Sequence, residues 1–167
     1  MASSAIVASA RSSRAVQTIL TAGLLAGFLD GMDAVVFIAW MNGIPVVRVF
    51  QFIASGALGV KSFHGGGATA VLGVLFQFII AIGAAAVFYF LAVRLPAVLR
   101  RPWLWGPAYG VGVFVFMHYL VVPLSAAPRQ PPLSAEALAN LLFSHIFFVG
   151  IPIALVTSRA ARGRQSA

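Results

Sequence analysis

Four runs of mainly apolar residues, at 15–41, 67–93, 104–126 and 135–157, divide the chain. Each is longer than the roughly 20 residues that a membrane-crossing helix needs. Composition leaves no other solvent for them. Of 167 residues, 61% are hydrophobic and 8% are charged, against roughly a quarter charged in a soluble domain. Such a chain cannot cover a water-facing surface. The pattern predicts an all-α fold, an integral membrane four-helix bundle in contact with the lipid bilayer.

Breaks in the apolar pattern set the spans. Arg94, Pro96, Arg100, Arg101 and Pro102 separate the second span from the third, and AAPRQPPLS separates the third from the fourth. Ser134 suits a helix N-cap, and Glu136 falls in the first turn, where the helix dipole favours an anion. The opening MASSAIVASARSSRAVQTIL puts basic residues ahead of an apolar stretch, as a signal peptide does. The apolar run nevertheless continues to Trp40 without a small-residue cleavage pattern, so it reads as a retained first span. Residues 1–14 and 161–167 read as flexible ends.

Charge sets the expected orientation. The formal net charge is 11 − 3 = +8. Arg11, Arg14, Arg94, Arg100, Arg101, Arg159, Arg162 and Arg164 lie on one side of an even-span protein; Arg48, Lys61 and Arg129 lie on the other. The positive-inside rule then places both termini in the cytoplasm. This distribution fits contact with anionic lipid. A nucleic-acid reader carries its basic stripe on a polar domain, and this chain has none. Cysteine is absent, which excludes disulfides, thiolate metal sites and cysteine catalysis.

The first connection, NGIPVVRVFQFIASGALGVKSFHGGG, is unusual. Its apolar piece from Pro45 to Leu58 is too short to span. Arg48, Gln51 and Ser55 recur at helical spacing against Val46, Val47, Phe50 and Ile53, which predicts a short interfacial or re-entrant helix. Two roles fit: a helix sealing the bundle at its outer face, or a lid or half-helix lining a pathway. Arg48, Gln51 and His64 are its outer-loop candidates, and Gly65, Gly66 and Gly67 form a flexible turn into the next span.

Small residues mark the packing faces. Gly23, Gly27 and Gly31 recur every four residues in the first span, with Asp30 on the same side and Asp33 at its margin. Leu24, Leu25, Phe28, Met32 and Val35 lie opposite, toward lipid. In the second span Gly66, Ala70, Gly73, Gln77, Ala81 and Ala84 form a matching stripe. In the third, Gly106, Gly110, Phe114 and His118 follow by fours. In the fourth, Leu141 and His145 share a face with Asn140 and Ser144 beside it, and Pro152 after Gly150 predicts a kink. Asp30, Asp33, Gln77, His118 and His145 then converge on one depth band. Intramembrane carboxylates are costly and point to function, on the order of 3 kcal/mol for a charge at the centre. The bland alternative is a protonated or hydrogen-bonded carboxyl that holds helices together, since burial favours the neutral acid.

The stretches GIPVVRVFQFIASGALG, FHGG, LGVLFQFIIA, RPWLWGPAYGVGVFVFM, VVPLSAAP and HIFFVGIPIAL together resemble a family of small four-span bacterial inner-membrane proteins with no assigned biochemical function. The resemblance covers about Gly23 to Leu155 and implies architecture and location, with no activity attached. It implies histidine where this chain has Gln77, and asparagine where it has His118. An exchange of that kind implies that Gln77 and His118 touch.

Three functional readings follow. The first is a non-enzymatic structural, assembly or accessory membrane component, homo-oligomeric or part of a larger membrane complex through its glycine faces. The second is a small transporter for protons, cations or a solute, with Asp30 and Asp33 as carriers. The third is a metal- or haem-binding subunit that uses His118 and His145. Enzyme signatures are missing: there is no HExxH, GGGATAVLG lacks the Walker lysine, and no serine-hydrolase elbow occurs. No cofactor is predicted.

Overall fold

The computed structural model describes residues 2–162, with side chains from Ser12 onward, and every regular element among them is helical. Helix α1 (Ala2–Asp33) runs on as a π-helical segment, Ala34–Met41. Residues 2–14, expected as a flexible lead, are thus part of a helix. The expected flexible tail is helical through Arg162, and the remainder of it lies outside the described residues. Next come α2 (Val46–Leu58) with a 3₁₀ extension, Gly59–His64, then α3 (Gly66–Arg94) and the short α4 (Pro96–Arg100). Helix α5 (Pro102–Phe116) passes through a π segment, Met117–Val121, into α6 (Val122–Leu124). Last, α7 (Ala135–Ser144) and α8 (Ile151–Arg162) form one rod joined by a π segment, His145–Gly150.

Five helices are long and apolar enough to cross a membrane: Ser12–Met41, Val46–His64, Gly66–Arg94, Pro102–Leu124 and Ala135–Arg162. That is one more than the sequence pattern predicts. The addition is the connection helix. Its α-helical part stops at Leu58, but the 3₁₀ turns continue it to His64 and bring its length to 19 residues.

The π segments have a local cause at two of their three positions. Proline has no N–H, so the carbonyl four residues before it loses its α-helical donor. Pro123 does this to Tyr119, and Pro152 does it to Phe148. Wider i→i−5 pairing appears directly ahead of each proline, with the Val122 N–H bonded to the Met117 carbonyl and the Ile151 N–H to that of Ile146. The third segment, Ala34–Met41, holds no proline. The Asn42 amide donates to the Phe37 carbonyl at 2.6 Å, and Gly43, at φ +67°, ends the helix. At the start of α7, Ser134 accepts a hydrogen bond from the Ala137 N–H at 3.2 Å, the N-cap that the sequence pattern predicts.

Helix α1 packs against α3 on one side and against the α7–α8 rod on the other; α5 packs against that rod, and α2 against α3. Small residues make these approaches close. A Cβ at Gly23 would lie 2.5 Å from the Ile82 Cα, and one at Gly27 would lie 2.9 Å from the Phe78 ring. A Cβ at Gly110 would meet the His145 carbonyl oxygen and lie 2.8 Å from the Ile146 Cα. Gly150 faces the Gly106 carbonyl and the Gly110 backbone in return. A Cβ at Gly73 would run into the Phe50 carbonyl of α2. The buried cluster, Ala22, Ala26, Ala85, Phe88, Ala92, Val98, Val149, Ile153 and Ala154, lies toward the arginine-rich end. Large apolar side chains face outward: Phe28 is 57% exposed, Ile79 62% and Phe116 55%. Small residues inside and bulky apolar ones outside is the pattern of helices solvated by lipid, where tails give no hydrophobic drive and close backbone packing replaces it.

Candidate functional site

The polar centre lies where α1, α3 and α7 meet. Both oxygens of Asp30 are engaged. The Gln77 Nε2 of α3 donates to Oδ2 at 2.7 Å, and the Ser144 Oγ of α7 donates to Oδ1 at 2.7 Å. One turn further along α1, Asp33 accepts from the Asn140 Nδ2 at 3.0 Å. Asp30 and Asp33 lie three residues apart and Asn140 and Ser144 four apart, and the bonded pairs run in opposite order along the two helices, so antiparallel α1 and α7 meet in two rungs. All three donors are neutral. Hydrogen bonds gain strength where the surroundings compete little for the partners, and these side chains are half-buried or buried. Asp30 therefore ties α1 to two other helices at once.

The glycine seam explains how the side chains reach each other. Gly23 and Gly27 press α1 onto α3, whereas a Cβ at Gly31 would have the Gln77 Cγ 3.9 Å away. The groove thus widens along α1, and the Gln77 side chain fills the widening beside Asp30.

The histidines belong to a neighbouring aromatic group. His118, in the π segment of α5, stacks on Phe114 with ring centres 5.5 Å apart and an interplanar angle of 10°. His145 meets the same ring edge-on at 5.8 Å, and its Nδ1 lies 2.8 Å from the Leu141 carbonyl oxygen. A carbonyl only accepts, so Nδ1 is the donor in this bond. Of the five expected cluster members, the hydrogen bonds join Asp30 and Gln77 directly. Asp33 is the next rung, and His118 and His145 group around Phe114. Gln77 turns to Asp30 while His118 stacks on Phe114, so no hydrogen bond joins the pair that the resemblance implies. Among the described residues, no three His, Cys, Asp or Glu side chains are placed to hold a metal ion.

Asn140 and Ser144 are the partners that the sequence pattern sets beside the His145 face without giving them a role. Their spacing of four residues, close to the three between Asp30 and Asp33, was the available signal.

The outer candidates separate. Arg48 donates to the Phe63 carbonyl at 3.2 Å and lies over the Phe63 ring at 5.6 Å. His64 is exposed. Gln51 is no loop residue: it is 2% exposed, and its Nε2 donates to the Gly66 carbonyl at 2.9 Å and to the Thr69 Oγ1 at 3.3 Å. The Thr69 hydroxyl passes the contact on to the Ser62 carbonyl at 2.6 Å. The Gln51 Oε1 and the Ser62 Oγ are buried without a partner. Helix α2 thus buries Gln51 and Ser55 while Val46, Val47 and Leu58 face outward.

No known family profile, curated protein or solved structure matches the chain.

Proposed function

We propose that this chain is a multi-pass protein of a bacterial inner membrane, of the four-span family that it resembles, serving as a structural, assembly or accessory component. In this reading α1, α3, the α5–α6 rod and the α7–α8 rod are the spans of a four-helix bundle. Helix α2 lies at the outer interface, and both termini are cytoplasmic. The observation that carries it is the pair of 2.7 Å bonds that occupy both oxygens of Asp30 from two different helices. A carrier carboxylate must release and regain its ligand, and one held on both sides by side-chain donors acts as a clasp. The support for an interfacial α2 is that its side-chain bonds reach only the first turn of α3, at Gly66 and Thr69.

Two experiments test this. The chain has no cysteine, so single reporters are clean. Ile44→Cys and Gly67→Cys label from the same side of the membrane if α2 is interfacial, and from opposite sides if it spans. Purification in mild detergent recovers a stoichiometric partner or a homo-oligomer; a lone monomer whose deletion has no phenotype counts against the reading.

One observation favours proton or cation handling as a second reading. Asp33, a turn from Asp30, has a single side-chain donor, on one oxygen. On that reading vesicles reconstituted with the protein show flux that Asp33→Asn abolishes while the fold survives. Unchanged or absent flux ends it.

A further inference from the structure

We propose that the end of the molecule built by α4 binds the headgroup of an anionic phospholipid. Five residues of helix lie between two long spans here, and one side chain seats them: Val98 is 1% exposed and belongs to the same buried cluster as Ala92, Ile153 and Ala154. Pinned there, α4 touches α3, α5 and α8. That placement gathers Arg94 from the last turn of α3, Arg100 from that of α4, Arg101 at the head of α5, and Arg159 and Arg162 from the last turn of α8. All five are exposed.

No acidic side chain is available to them. The chain has three: Asp30 and Asp33 are committed to the clasp, and Glu136 sits at the opposite end of the α7–α8 rod. Arg94, Arg159 and Arg162 each sit in a last turn, where a cation also offsets the helix dipole. Arg101 precedes the first turn of α5, where that dipole has its positive end, so the dipole adds to the demand for an anion there.

The apolar neighbours decide which anion. Leu95 is 51% exposed, Trp103 67% and Leu104 59%, all within a few residues of the arginines. A phospholipid covers these three side chains with its glycerol and upper acyl region while its phosphate meets the guanidinium groups, and tryptophan suits that level of the bilayer. Arginine also matches phosphate oxygens in a two-pronged geometry.

Tryptophan quenching reads this site directly, because Trp103 and Trp105 flank it. Trp40→Phe protein is reconstituted in phosphatidylcholine vesicles containing either brominated phosphatidylcholine or brominated phosphatidylglycerol at equal mole fraction. Stronger quenching by the brominated phosphatidylglycerol is expected. The Arg94→Gln, Arg100→Gln, Arg101→Gln triple variant should lose that preference, by roughly fivefold in relative association constant for each arginine removed. The corresponding lysine variant should keep most of it, and Arg129→Gln should change nothing. Circular dichroism checks that each variant remains helical. Equal quenching by the two lipids overturns the proposal, as does a preference that survives in the glutamine variant. Displacement of the brominated lipid by an oligoglutamate peptide or by single-stranded DNA also overturns it, and makes a soluble anion the occupant.

Discussion

Two seams hold the long helices together, and they solve one problem differently. Between α1 and α3, glycines spaced by four press regular helices together, tightly at Gly23 and loosely at Gly31. Between α5 and the α7–α8 rod the approach is tight throughout. Gly106, Gly110 and Gly150 each bring backbone onto backbone, and the rod is π-helical where it is met. The first seam slackens toward Asp30 and admits polar side chains. The second admits none across its tightest point and sets the aromatic group of Phe114, His118 and His145 beside it. A seam that opens can carry a polar function, and one that stays closed can only hold.

The sharpest way to break this comparison is to add one methyl group to each seam. Gly110→Ala should be the most damaging, because its Cβ would meet the His145 carbonyl, which cannot move without distorting the π segment. A loss of about 2–3 kcal/mol is expected, in the upper range for overpacking. Gly23→Ala, against the Ile82 backbone, should cost about 1–2 kcal/mol. Gly31→Ala has ordinary van der Waals room and, as a helical glycine, should be neutral or stabilising by up to about 1 kcal/mol. Reversible unfolding in mixed detergent micelles measures all three. If Gly31→Ala is as harmful as Gly23→Ala, the first seam does not open and the account of Asp30 fails with it.

The clasp itself gives the next largest effects. Asp30→Ala strands the Gln77 amide and the Ser144 hydroxyl, each 2.7 Å from the carboxylate. About 1–2 kcal/mol should be lost, near the upper end for interhelical hydrogen bonds in a membrane. Asp30→Asn offers one acceptor and one donor, and the Ser144 hydroxyl can accept as readily as donate. That variant should unfold within about 0.5 kcal/mol of the parent. Asp33→Ala removes a single 3.0 Å bond and should cost about 0.6 kcal/mol, the average measured for such bonds. An Asp30→Asn variant as unstable as Asp30→Ala would mean that the negative charge, rather than the hydrogen-bond geometry, holds the helices.

Much of the first seam was legible because its signals are local and periodic. Glycine every fourth residue defines one face of a regular helix, and Asp30 falls on that face at any register. The outward side of α1, with Leu24, Leu25, Phe28 and Met32 exposed, follows from the same arithmetic. The second seam was less legible because π-helical turns break the 3.6-residue count. His118 and His145 each lie at the start of such a segment: the four-residue spacing carries as far as the Phe114–His118 stack, and no regular count applies beyond it. Pro123 and Pro152 were the available warning. Gln51 was misplaced for another reason: a polar residue in an interhelical connection reads as surface, yet α2 lies on α3 and its polar side is the buried one. Which residue of α7 reaches Asp30 depends on the rotation of that rod, and no local pattern sets it.

The smallest effects test what covers the outer faces. Gly83 and Gly112 face open space: a Cβ at either would find no heavy atom within 4 Å. Both lie inside long helices, where glycine costs about 1 kcal/mol relative to alanine through backbone entropy. If lipid covers these faces, Gly83→Ala and Gly112→Ala should be neutral or stabilising by up to about 1 kcal/mol, the reverse of Gly110→Ala. A second copy of the chain packed there would find its close approach blocked, and the same substitutions would then weaken it. Unfolding midpoints measured at several protein-to-detergent ratios separate the cases. A gain independent of concentration means lipid, and a loss that grows on dilution means that an exposed glycine face is a third seam, between subunits.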